Sequence, residues 1–165
     1  MNSPWLLLYD YNIWANNRLI SHLGSLPEEI FSKEVNLGFK SIAEVITHLI
    51  SADQLWLTRV TEGSPSITAP TIFSDIEEAG KHINILQSQF REHLTTIDDF
   101  EKKVAYRNKN GQERQNSVSE IIQQVVNHGT YHRGNISTML RYLGYTGVLT
   151  DYIAFIYEKD GEPIL

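Results

Sequence analysis

Apolar residues recur at steps of three and four along four long stretches of the chain, the period of helices that bury one face. Ser3-Pro4 predicts a helix start, with a capping serine and proline in the first turn. The segment runs to about Leu23, with Gly24 as a stop. Trp5, Leu8, Ala15, Leu19 and Leu23 form one stripe, and Tyr11, Trp14 and Arg18 a second edge. Residues 27–40 read as a connection with room for a short helical turn. Ser41 to Glu44 matches a capping box and opens a helix to about Thr61, stopped by Gly63 and Pro65. Its expected core face is Ile42, Val45, Ile46, Leu49, Ala52, Trp56 and Val60. A loop is expected over 65–71. Ser74 to Glu77 is a second capping box, followed by a seam of Ile76, Ala79, Ile83, Leu86, Phe90, His93 and Ile97.

The helical period breaks over residues 102–116. Val104 and Tyr106 alternate with polar residues, and Asn110-Gly111 is the pair favoured in a two-residue type I′ turn, so a small hairpin is expected. Ser117 to Glu120 is a third capping box. The helix behind it ends near Leu143, with Gly144 at its cap. Residues 147–159 are short and apolar, and fit a helical turn or an extended tail equally well. The expected architecture is all-α, a four-helix bundle with a small β-hairpin insertion, in a single domain spanning residues 1–165.

Candidate chemistry sits in that last long helix. Val118, Ile121, Val125, His128, His132, Ile136, Met139 and Leu143 share one face. His128 and His132 are one turn apart and on the apolar stripe. Buried rings need partners, and two adjacent protonated rings would repel. One shared divalent ion would meet both conditions. On spacing alone, two separately hydrogen-bonded core histidines fit as well. His48 is the leading third ligand, at the edge of the second long helix's core face beside the small Ala52. His93, on a seam position, is its rival. His22 reads as a solvated residue near a helix C-terminus and His82 as a surface residue. Arg133 and Asp151 are expected to form a structural ion pair rather than to line the pocket, Tyr131 and Trp14 to be core aromatics rather than substrate groups, and Asp53 and Glu44 to be surface charges rather than acceptors for a ligand imidazole. No Gly-rich phosphate loop or nucleophile elbow is present.

Charge and composition narrow the rest. Asp+Glu outnumber Lys+Arg by 20 to 14, a net −6, which argues against nucleic acid and anionic membrane as partners. The absence of cysteine leaves nitrogen and oxygen as the available metal ligands. No apolar run approaches the ~18 residues of a membrane span, so a cytoplasmic protein is expected.

Three stretches carry a family resemblance. They are 11–19 (Tyr11-Asn12-Ile13-Trp14-Ala15-Asn16-Asn17-Arg18-Leu19), 48–57 beginning His48-Leu49-Ile50-Ser51-Ala52-Asp53, and 128–136 with His128-Gly129-Thr130-Tyr131-His132-Arg133-Gly134, followed by 140–144 and Asp151. With them the chain resembles the DinB family of metal-dependent proteins over nearly its whole length. The resemblance implies a four-helix bundle, often dimeric, with a metal triad at His48, His128 and His132. It also implies a small-molecule substrate. Family members of known activity add low-molecular-weight thiols to electrophiles, or isomerise with a thiol cofactor. Three imidazoles with open positions suit Zn, Ni, Fe or Cu, and such a centre can stabilise a thiolate or activate water. Thiol transfer is the favoured expectation. A metal-dependent hydrolase and a non-enzymatic metal-binding stress-response protein are the alternatives. A homodimer is expected through Leu6, Leu7 and Ile13 of the first helix.

Overall fold

A computed structural model describes residues 3–61 and 72–164. Four long helices build it: α1 (Pro4–Gly24), α3 (Ile42–Thr61), α4 (Ile76–Thr95) and α5 (Val118–Tyr142). Between them come a single-turn helix α2 (Glu29–Ser32), a hairpin of β1 (Lys103–Arg107) and β2 (Glu113–Ser117), and a C-terminal α6 (Tyr152–Lys159). Helices α1 and α3 each pack against both α4 and α5, so α1 lies diagonally across the core from α3. The expected four-helix bundle with a hairpin insertion is present. The expected stop at Gly63 and Pro65 and the loop over 65–71 lie outside the described residues.

The helix starts follow the cap chemistry, with two shifts. At α5 the box is complete: Ser117 accepts from Glu120 N, and Glu120 accepts from Ser117 N at 2.8 Å. At α4 the cap falls one residue later than expected. Asp75 caps by accepting from Glu78 N at 2.8 Å, and Glu78 reaches back to Ser74 N at 3.2 Å. At α3 Ser41 accepts from Glu44 N, but the Glu44 carboxylate takes Lys40 N.

The seams also shift. Along α1 the buried positions are Tyr9, Tyr11, Asn12, Ala15, Asn16, Leu19 and Leu23, so two asparagines face the core. In the second half of α3 the buried line is Leu49, Asp53, Leu57 and Val60 rather than Ala52 and Trp56, which are half-buried. In α4 the step after Phe90 is four, so Leu94 enters the core, His93 turns aside, and the helix stops at Thr95.

The hairpin pairs Lys103 with Ser117 through Arg107 with Glu113. Its turn closes from Gly111 N to Asn108 O at 2.9 Å, so Lys109-Asn110 are the central residues, not Asn110-Gly111. Gly111, at φ 76°, then takes the left-handed position of a three-residue loop. The C-terminal segment resolves as a two-turn helix on α1. Tyr11 donates to Thr150 O at 2.9 Å and Trp14 to Glu158 at 3.1 Å, while Phe155 packs on both rings. The second edge of α1 is thus covered by α6. Leu6, Leu7 and Ile13 pack against the chain's own core. Among the described residues, no helix is long and apolar enough to cross a membrane.

A candidate metal centre between α3 and α5

The seven-residue step from Ser41 brings His48 to the side of α3 that meets α5. The straight run of α5 places His128 and His132 one above the other on the facing side. The three rings converge. His128 Nε2 lies 3.2 Å from His48 Nε2 and 3.0 Å from His132 Nε2. One ligand nitrogen from each ring falls within 4.8 Å of the others. Exposure grades across the cluster: His48 is exposed, His128 half-buried and His132 buried, so the centre opens on the His48 side. Phe39, from the loop before α3, stacks near His48 (5.6 Å) and edge-on to His132 (5.5 Å). The exposed Tyr131 ring stands 5.0 Å from His132, on the mouth rather than in the core.

These nitrogens cannot all satisfy one another at once. A neutral imidazole carries one N–H and one lone pair, so His128 Nε2 cannot complement both neighbours and still leave the third ring a partner. Protonation would put like charges in contact. Burial, with the neighbouring rings adding repulsion, drives the His132 pKa down to about 4 and lowers that of His128. At neutral pH both rings therefore present lone pairs, the form a metal binds. Metal–nitrogen bonds of ~2.0–2.1 Å at tetrahedral angles set ligand nitrogens roughly 3.3–3.4 Å apart. The observed spacings fall within a few tenths of that, so the donor set fits a divalent ion. The amide nitrogen Nδ2 of Asn135 lies 3.4 Å from His132 Nδ1 and steadies that ring from behind. His128 Nδ1 is buried and has no hydrogen-bond partner among the described residues.

The other expected residues fall elsewhere. His93 is outside the cluster, half-buried, with Nε2 unpartnered. His22 Nε2 meets Thr146 O at 2.8 Å, and His82 packs edge-on to Phe73. The expected Arg133–Asp151 pair does not form. Arg133 is 2% exposed, and donates from Nη1 to the Oδ1 atoms of Asn12 (2.9 Å) and Asn16 (2.7 Å) and from Nη2 to Thr130 (2.9 Å). Asp151 stands exposed at the start of α6. Asp53, expected on the surface, is 2% exposed, and burial raises its pKa to about 7 against the opposing pull of Arg133.

A bundle with an open cluster of three imidazoles belongs to the class of helical proteins able to hold a divalent ion between facing helices. The chain is a member of the DinB family: the family's model matches residues 1–163. It is 33% identical over 164 residues to Protein DinB of Bacillus subtilis, covering 94% of this chain and 95% of that one. Its fold matches the crystal structure of a DinB-like protein from Bacillus cereus with a TM-score of 0.66 at 18% identity, over 83% of this chain and 91% of that one.

Proposed function

We propose that the chain binds one divalent metal ion through His48, His128 and His132, and that the loaded protein transfers a low-molecular-weight thiol to an electrophile. The observation carrying this reading is the convergence of three ring nitrogens, one from each histidine, on one point. A divalent ion held there supplies Lewis acidity, which lowers the pKa of a thiol and so raises its thiolate fraction at neutral pH. The chain's own residues do the rest. His48 leaves the centre open to solvent on its side, giving a thiol a way in. Phe39 and Tyr131 wall the mouth with aromatic surface, which suits an apolar or aromatic electrophile. Asn135 contacts the far nitrogen of the His132 ring and limits its rotation.

Family membership supports the same reading. The working form is a homodimer in the cytoplasm. The surface available to a second copy is the exposed apolar group of Leu149, Ile153 and Tyr157 around α6. The test is a panel of small thiols with haloaromatic and epoxide electrophiles, run with and without restored metal. Metal-dependent conjugation is expected. Ester or amide cleavage without conjugation would replace this reading with a hydrolase. No turnover of either kind would leave a metal-binding protein without catalysis.

A further inference from the structure

Helix α5 carries two stacked pairs offset by one residue. His128 and His132 turn toward α3. Gly129 and Arg133, one position on and so about 100° around the helix, turn toward α1. The second pair is built as a grip. The Arg133 fork takes two acceptors from α1, Asn12 and Asn16, on a single nitrogen, and Thr130 on the other. Asn16 is itself held, donating to Gln87 of α4 at 3.0 Å. Gly129 leaves the space this needs. A Cβ there would lie 2.6 Å from Asn12 Oδ1 and 2.8 Å from Arg133 Nη1. Asp53, on the helix that bears His48, is within electrostatic reach of the same guanidinium.

We propose that Arg133 is the positioning residue of the metal centre: by gripping α1 through Asn12 and Asn16 across Gly129, it fixes the rotation of α5 and thereby the aim of His128 and His132 at His48. The inference rests on the metal reading of the triad. The magnitudes favour it. A ring nitrogen lies roughly 6 Å from its helix axis, so a 10° turn of α5 carries it by about 1 Å. That is several times the ~0.2 Å within which metal–ligand distances hold. Apolar seams resist such a turn through packing that is not directional. A guanidinium nitrogen shared by two α1 amides, one of them held in turn by Gln87, resists it directly.

The test uses the full chain with Co(II) as the probe metal. Gly129→Ala substitutes the better helix former yet pushes a methyl group into the grip. Arg133→Lys keeps the charge and loses the fork. Neither touches a triad ring. Measured by chelator competition, the dissociation constant is expected to rise about 10-fold or more in each. The visible spectrum of the saturated protein should also change, while circular dichroism and melting in the metal-free form stay those of a folded bundle. If Arg133→Lys fails to fold, Gly129→Ala decides. Wild-type affinity and spectrum in the folded variants overturn the inference alone. A wild type that takes up no Co(II) overturns the metal reading, and the inference with it.

Discussion

Two polar patches lie inside this bundle, one residue apart along α5, and they are built in opposite ways. Around Arg133, donors meet acceptors: a guanidinium fork lies against the Oδ1 atoms of two asparagines. Around His128, three imidazole nitrogens converge, like atom against like. The first patch is sealed and pairs the guanidinium's terminal nitrogens, while Arg133 Nε, Asn12 Nδ2 and Asp53 Oδ1 are left without a hydrogen bond among the described residues. The second sets three like groups together and opens toward solvent at His48. The difference teaches how to tell a clamp from a site. Polar groups that answer each other hold a fold together, and polar groups that converge unanswered ask for something from outside.

The sharpest way to break the comparison is to substitute the two neighbours separately in chelator-treated protein. Arg133→Met strips the donors from two buried amides and leaves Asp53 without a nearby cation. Loss of roughly 3–5 kcal/mol is expected from urea unfolding. His132→Leu removes a ring that has no complementary partner among the triad, and should change metal-free stability by no more than about 1 kcal/mol, in either direction. Equal losses in the two would erase the distinction.

Much of this was legible in the sequence, and the misses share a cause. The triad could be read because both α5 histidines fall on a regular 3.6-residue stripe and His48 on its neighbour's edge. The capping box at Ser117 was realised as written. At Ser74-Asp75 two capping side chains stood side by side, and the carboxylate took the position. The clamp was missed because polar residues were discounted from seams. Asn12, Asn16 and Asp53 all sit at core-facing steps of their helices, while the seams were traced through larger apolar neighbours such as Leu8 and Trp56. A polar residue in phase with a seam was the available signal. His93 was misplaced because a step of three after Phe90 was assumed where the helix takes four. Asp151 was paired with Arg133 on charge alone, when the guanidinium had closer uncharged acceptors on α1.

The pH dependence sharpens the comparison further, with effects of up to ~1.4 kcal/mol per pH unit for each group. His132 has a folded pKa near about 4, below the ~6.5 of an unfolded chain. Its contribution to metal-free stability is therefore intact above ~6.5 and lost as pH falls toward 4. Asp53 has a folded pKa raised to about 7, above the ~3.9 of an unfolded chain. Its contribution is present below ~3.9 and lost as pH rises toward 7. The two slopes oppose each other over nearly the same window. Asp53→Asn should leave stability that falls on acidification, and His132→Leu stability that falls as pH rises. Melting temperatures taken between pH 4 and 7.5 in chelator check both signs. Parallel profiles in the two variants would contradict the assignment.

The account stands most directly on metal content. Elemental analysis of the purified, metal-reconstituted wild type should give one divalent ion per chain. Occupancy should be lost in His48→Ala, His128→Ala and His132→Ala, and retained in His93→Ala. Full occupancy in any of the three triad variants, or loss in His93→Ala, would contradict the convergence of His48, His128 and His132 as the metal centre.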